Sequence, residues 1–416
     1  MNLQHWKTRL IQKLSIFTAV LFVLPAPAVL ADNATRLKVM TQNQYLGADL
    51  TPLALAGTIP DPDEAAAAFN AAMIQVLSTI AANNYPERVL SLAQTIVDKR
   101  PDLVGLQEVW AFGCTPTSAT IPDPCGIFEP AFSDHLPATL AALNGLGGDY
   151  YMAAQSQNLT IMDAGFPVPG VPVFLDNDPL PDIFVTVMDR DVILARERVS
   201  SEPVDFACTR PSLDGCNFVN VASTSLGGIP LNIERGFVGV DAVVKGENYR
   251  FVNTHLEVRY PDPTNPFSSV IQALQATELI GILNSEEPDS RLIVVGDINS
   301  DPNDETGPWL TPYEQFVSGL SYDGITEYAS FYDVWTLNRK QTPGLTCCEE
   351  EDLLNPVSVS ERRVDVIFSL DEPNKVQAHV LNLNPEDKTP SGLWPSDHAT
   401  VAANLKFKGE NGRDKD

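Results

Sequence analysis

The chain has 416 residues, of which 44% are hydrophobic and 19% charged, with 27 Lys and Arg against 54 Asp and Glu for a formal charge of −27. That is the composition of a folded globular protein with ample chain for a core. The charge argues against a nucleic-acid binder that works by a basic surface alone.

Residues 1–31 read as an export signal: Lys7, Arg9 and Lys13 form a basic start, 14–24 an apolar stretch, and Val29-Leu30-Ala31 a small-residue cleavage site. The apolar stretch is shorter than the ~20 residues a spanning helix needs, and no later segment reads as one. The expectation is a secreted or periplasmic protein without a transmembrane segment, cut after Ala31, monomeric, with its formal charge moved to −30 by loss of the three basic residues.

Residues 36–43 alternate as a strand does. Asp61-Pro62-Asp63 signals a helix start before an alanine-rich run to about Ala82, Asn83-Asn84 breaks it, and Pro86 opens a second helix to Lys99. Leu103 to Val109 reads as a buried strand. From 111 to 182 the chain is proline-rich and irregular, with one helix near 134–143, which marks a functional loop or an insertion. Strands are predicted at 183–187, 192–195, 218–221, 237–244, 250–254, 292–295, 364–369, 376–383 and 399–405, with a helix at 268–283 and a polar tail at 408–416. Many strands with few helices between them point to sheets packed on each other. One α/β domain over 32–407 is expected, with insertions near 51–85, 111–182 and 301–350.

The six cysteines suit an exported protein. Cys114 with Cys125 and Cys208 with Cys216 bracket short loops and read as disulfide staples. The adjacent Cys347 and Cys348 can pair with each other, pair elsewhere or stay reduced, and the spacing is not that of a structural zinc site.

Polar residues at the ends of apolar strands carry the functional signal, because a strand end holds a side chain rigidly while the adjoining loop admits substrate. They are Asn43, Glu108, His255, Asp297 with Asn299, Asp365, and Asp397 with His398. Singly each has a plain alternative: a turn residue, a solvated strand end, a hydrogen-bonded structural histidine, an ion-pair partner or a cap. Together they offer oxygen ligands suited to Mg²⁺, Mn²⁺ or Ca²⁺ and two histidines to handle protons. His135 and His379 are left as structural.

Their order adds weight. TQN at 41–43, PDLVGLQEV at 101–109, NTHL at 253–256, VVGDIN at 294–299, RRVDVIF at 362–368 and WPSDHA at 394–399 resemble the endonuclease/exonuclease/phosphatase superfamily, the deoxyribonuclease I-like fold. The resemblance implies a four-layer α/β/β/α sandwich of two mixed sheets with the site at one end. It further implies Glu108 as the principal metal carboxylate with Asn43 beside it, and Asp297 and Asn299 placing water and phosphate. His398 would contact phosphate or act as base, oriented by Asp365, with Asp397 a second metal ligand or hydrogen-bond partner. His255 would donate to the phosphate or the leaving oxygen. A carboxylate partner for His255 has no clear match; Asp189 and Asp191 are candidates, with an exposed strand end as the alternative, and Arg235 reads as a phosphate contact or, more plainly, as a surface ion-pair residue.

The expected activity is metal-dependent hydrolysis of a phosphodiester substrate, nucleic acid or phospholipid, with a slight lean to nuclease. A phospholipid or sphingomyelin headgroup diesterase, a phosphomonoesterase and an inactive binding protein follow in that order. The apolar loop 165–174 speaks for a lipid; a proline-stiffened loop folded on the body is its plainer explanation.

Overall fold

A computed structural model describes residues 35–161, 170–176, 179–226, 229–259, 267–286, 290–305, 307–339 and 342–408. The export signal, residues 165–169 of the apolar loop 165–174 and the polar tail beyond 408 lie outside the described residues.

Alternation along the central strands decides the architecture. In the strand Arg291–Asp297 every residue is buried, but successive side chains enter different cores. Ile293 and Val295 meet Leu37, Val39 and Leu103 between two sheets, whereas Leu292 and Val294 meet Leu279 and Ile280 of the helix Phe267–Ser285. The strand Leu103–Gln107 does the same from the other sheet: Leu103 faces the sheet interface, and Val104 and Leu106 face the helices Tyr85–Lys99 and His135–Gly145. The result is helix, sheet, sheet, helix. Burial of a fully enclosed Leu92 or Ile96 under the outer face contributes about 1.5–3 kcal/mol each.

The first sheet runs Lys375–Leu381, Thr400–Phe407, Thr35–Asn43, Leu103–Gln107, Ile183–Arg196, Ala111–Pro116; the second runs Tyr332–Asp333, Asp365–Ser369, Arg291–Asp297, Glu247–His255, Gly236–Val244, Gly215–Asn217, Pro211–Ser212. Both are mixed, with one parallel pair each along these paths. The sheets approach closely at Gly105, where a Cβ would sit 2.6 Å from Asn253 Oδ1. Asn253 uses that space to donate across the sandwich to the Leu106 and Val192 carbonyls at 2.8 and 3.1 Å.

Several expectations are corrected. The stretch 111–182 is not mainly irregular: Ala111–Pro116 and Tyr150–Thr160 both pair with Ile183–Arg196. The latter was hidden because Ala, Gln and Ser dominate its YYMAAQSQNLT sequence. The strands expected at 183–187 and 192–195 are one strand, with Asp189, Arg190 and Asp191 buried in its middle. The strand expected at 218–221 instead ends at Asn217. The helix Pro62–Ala82, N-capped by the Asp61 side chain, is long and apolar enough by composition to cross a membrane, with a mean hydropathy of 1.5. Alanine supplies that hydropathy, and the helix packs Met73, Val76, Leu77 and Ile80 against Trp110, Phe112 and Val185.

Arg88, fully buried on the helix Tyr85–Lys99, ties this layer to the end of the sandwich. Its guanidinium donates to the carbonyls of Asn83, Gln44, Pro395 and Tyr45 at 2.8 to 3.0 Å, and it lies over the Tyr85 and Tyr45 rings. Arg88→Ala leaves those acceptors without donors, so denaturant unfolding is expected to show a loss of about 3–5 kcal/mol. Arg88→Lys, which keeps the charge but not the fork, recovers only part of it.

Candidate active site

The site is assembled from strand ends that are neighbours in register. His255 pairs with Asp297 across the parallel ladder, and Asp297 pairs with Asp365 across the antiparallel one, so these side chains stand in one row. In the facing sheet Asn43 stands opposite Gln107, and Glu108 follows it. Asp397 and His398 come from the loop entering Thr400–Phe407.

The local backbone explains the residue types. At Gly296 φ is +148° and a Cβ would fall 1.9 Å from the Thr254 carbonyl oxygen, so only glycine fits before Asp297. Asp297 Oδ1 then accepts the Asn299 N–H at 2.9 Å, which closes an Asx turn. Tyr45, Glu108 and Asn299 all lie at positive φ, at 57°, 54° and 51°, conformations that non-glycine residues keep only where surrounding contacts impose them. For Glu108 those contacts are the Leu46 N–H and the Trp110 Nε1–H on Oε2, at 2.9 and 3.3 Å.

Asn43 Nδ2 bridges the sheets, donating to Glu108 Oε1 at 3.0 Å and Asp297 Oδ2 at 3.2 Å. Its Oδ1 accepts the Tyr45 N–H at 2.9 Å. Two carboxylates draw the donor end of the amide toward them. In this arrangement Asn43 ties the two acidic residues together across the sheets.

The histidines differ. His398 Nδ1 lies 2.8 Å from Asp365 Oδ2, which places a proton on Nδ1 and turns Nε2 to the site. Burial opposes its charge, but Asp365, Asp397 and Asp297 outweigh burial and hold the imidazolium well above the usual histidine range. His255 Nδ1 lies 3.0 Å from Arg235 Nη1. A guanidinium only donates, so Nδ1 accepts and the proton sits on Nε2, which faces the Asn299 Nδ2 donor at 3.2 Å without a hydrogen bond between them. Burial, then Arg235 and His398, press its pKa well below the usual value, and the ring is neutral. Between the two rings, Asp297 Oδ2 is 3.5 Å from His255 Nε2 and 3.7 Å from His398 Nε2.

Arg235 is the residue whose surroundings the sequence did not show. Its side chain is only 12% exposed, not a surface ion-pair group, and it stands between His255 and Asp189, whose Oδ2 is 4.0 Å away. The carboxylate sought for His255 thus acts through Arg235. Asp189 and Asp191 are mid-strand and share the Asn158 amide; burial lifts Asp189 to about 6 and Asp191 well above the carboxylate range. The one signal was the charge run Asp189-Arg190-Asp191 inside an apolar strand. The two expected disulfides, Cys114 with Cys125 and Cys208 with Cys216, are present; Cys347 and Cys348 place their sulfurs side by side, with Cys348 Sγ 4.0 Å from His398 Nε2. His135 stacks on Tyr85, with centroids 3.4 Å apart.

The donor set suits a hard divalent cation. Burial first, then neighbouring carboxylates, raises Asp297 to about 6 and Asp397 to about 7 even though His398 pulls both down. Glu108 contributes to the raising of each, so the acidic residues crowd one another in a way a cation would relieve. Asp297, Asp365 and His398 also bring candidate ligand atoms within 4.8 Å of one another. His398 and Asp365 already satisfy each other, which leaves the carboxylates of Glu108 and Asp397 as the candidate ligands outside that pair.

A stability test follows. A carboxylate raised by folding binds protons in the native state that the unfolded chain has released, so its contribution is lost as pH rises toward the folded value. His398, also raised, acts in the same direction. The depressed histidines His255 and His135 have made their full contribution above about pH 6.5. Between about pH 6.5 and 8 the melting temperature in EDTA is therefore expected to fall as pH rises, and Asp397→Asn to flatten the fall. A rising profile would contradict the assignment.

Two mixed sheets face to face, helices outside and the functional residues gathered at one end complete the assignment of the fold. It is a four-layer α/β/β/α sandwich of two mixed sheets. No protein-family model matches the sequence, and no curated protein matches it. Among solved structures, an endonuclease/exonuclease/phosphatase family protein from Leptotrichia buccalis is similar at 17% identity and a TM-score of 0.48, covering 89% of this chain and 100% of its own. A mannosyl-6-phosphatase from Bacteroides thetaiotaomicron is similar at 16% identity and a TM-score of 0.46, covering 89% and 100%. TDP2 from Caenorhabditis elegans is similar at 12% identity and a TM-score of 0.43, covering 89% and 74%. Likeness at this level carries no activity from one chain to another.

Proposed function

We propose that this chain is an exported, divalent-metal-dependent phosphodiesterase that uses water as nucleophile. The observation that carries the proposal is Asp297 Oδ2 set between the Nε2 atoms of two histidines in opposite protonation states.

Asp297, with its pKa lifted to about 6, is suited to take a proton from a water as that oxygen bonds to phosphorus. His398 carries a transferable proton on Nε2 and Asp365 steadies the charge on its ring, so it serves the oxygen that departs as the P–O bond breaks. His255 cannot give up its single proton readily. Kept as the Nε2–H tautomer by Arg235, it donates a hydrogen bond to a phosphoryl oxygen and retains the proton. Asn299 Nδ2, anchored on the Leu256 carbonyl at 3.0 Å, faces the same region. Glu108 and Asp397 would hold the cation, which would supply charge neutralisation on the phosphoryl oxygens.

Two histidine donors can serve a phosphoryl oxygen and a leaving oxygen at once. A nucleic acid is the weaker substrate. Among the described residues lining the cavity around the site, Arg235 is the one Lys or Arg, and the exposed Asp49 and Glu351 add negative charge. That acidic lining disfavours a polyanion. The disulfides support the exported context.

The test is hydrolysis of bis-p-nitrophenyl phosphate and p-nitrophenyl phosphate with Mg²⁺, Mn²⁺ or Ca²⁺, and with EDTA. EDTA-sensitive turnover favouring the diester is expected. Preference for the monoester would replace this reading with a phosphatase, and no turnover with any cation would favour a binding protein.

A further inference from the structure

The catalytic residues occupy only one end of a larger cavity of about 490 Å³, lined by Glu108, His255, Asp297 and His398 at that end. Asp49, Glu234, Glu257, Glu349 and Glu351 also line it, but a large part of the remaining wall is apolar: Phe69 and Met73 from the helix Pro62–Ala82, Trp110 and Phe112 after the Glu108 turn, and Leu159 and Ile161 at the end of Tyr150–Thr160. Apart from Trp110, whose Nε1–H holds Glu108 Oε2, none of these side chains touches a residue placed in the hydrolytic step. Phosphate, water and cation are all polar, so they leave the apolar arm unused.

We infer that the apolar arm receives an aliphatic chain on one ester oxygen of the substrate, which makes the substrate class a lipid-type phosphodiester. This rests on the phosphodiesterase reading of the same site. The volume is that of a ligand pocket, roughly 300–1,000 Å³, and an apolar wall with convergent polar groups at one end matches a molecule of the same division. Leu53 and Ala54 of the helix Thr51–Ala56 line the cavity, and Leu55 beside them is 60% exposed. The helix Pro62–Ala82 buries only 28% of its most apolar window. Apolar surface thus extends from the cavity wall to solvent, as entry of a chain from an aggregated or membrane-held lipid requires. A nucleic acid would put a second charged phosphate beside Asp49 and Glu351 instead.

The experiment compares p-nitrophenyl diesters of phosphate whose second ester is methyl, butyl or octyl, each below its micellar concentration, with Mg²⁺ present. Because each buried methylene adds to binding, kcat/KM is expected to rise by at least about tenfold from methyl to octyl. Met73→Trp, which fills the arm, and Leu53→Glu, which makes its rim polar, are expected to pull the octyl-to-methyl ratio toward one. Leu53 is part-exposed, so that variant still tests the idea if Met73→Trp fails to fold. Calorimetric titration with octylphosphonate and methylphosphonate reads the arm without turnover, and tighter binding of octylphosphonate by about tenfold is expected. Turnover of all three diesters with a flat ratio, or faster cleavage of plasmid DNA than of the octyl diester, would overturn the lipid inference and leave the phosphodiesterase standing. No diester turnover with chain-dependent phosphonate binding would do the reverse, and loss of both would remove the two together.

Discussion

His398→Ala is expected to lower kcat/KM for bis-p-nitrophenyl phosphate by about 10³–10⁴-fold, at the upper end of what a proton-transfer group contributes. The size follows from its surroundings. Asp365, Asp397 and Asp297 hold the ring charged against burial, and Asp365 fixes the Nδ1 proton at 2.8 Å. Asp365→Asn separates charge from position, because the amide still fills the space but no longer stabilises the imidazolium. The NMR titration of His398 in that variant is expected to move to lower pH, with activity between wild type and His398→Ala. An unchanged titration would show that Asp365 is not what sets the ring.

The second large effect is expected at Glu108. Glu108→Gln should cut turnover by about two to three orders of magnitude and weaken Mg²⁺ or Mn²⁺ binding in calorimetry, while the metal-free protein melts no lower than wild type. Stability is spared because Glu108 raises the pKa of both Asp297 and Asp397, so removing its charge relieves repulsion. The amide can still accept from the Leu46 N–H and the Trp110 Nε1–H that hold the original side chain. A stable, inactive protein with weakened cation binding identifies Glu108 as a cation ligand; wild-type turnover would remove it from the site.

Much of the site was legible in the sequence because its residues stand at strand ends, where an apolar run stops at a functional side chain. Asp297 after Val294-Val295-Gly296 and Asp365 before Val366-Ile367-Phe368 carry that signature in a single chain segment. Arg235 does not. Its role depends on strand Gly236–Val244 pairing with Glu247–His255, which brings Arg235 beside His255, and on Ile183–Arg196 supplying Asp189 from the other sheet. Pairing between sheets leaves no local trace, so a lone arginine before a glycine looked like surface. Arg88 was hidden for a related reason: its acceptors are backbone carbonyls, which every residue has. The apolar arm escaped because its wall is drawn from a helix and separate strands, each of which reads alone as ordinary core.

The row of His255, Asp297 and Asp365 across three strands makes catalysis a reporter of correct pairing. Successive side chains on a strand point to opposite faces, so a slip of one residue in either ladder would send a histidine or a carboxylate to the wrong side of its sheet. A misaligned molecule can keep its secondary structure and most of its circular dichroism, yet it cannot place proton donor and acceptor around one phosphorus. Specific activity after refolding therefore counts the molecules whose ladders are in register, a quantity that spectroscopy of the backbone averages away.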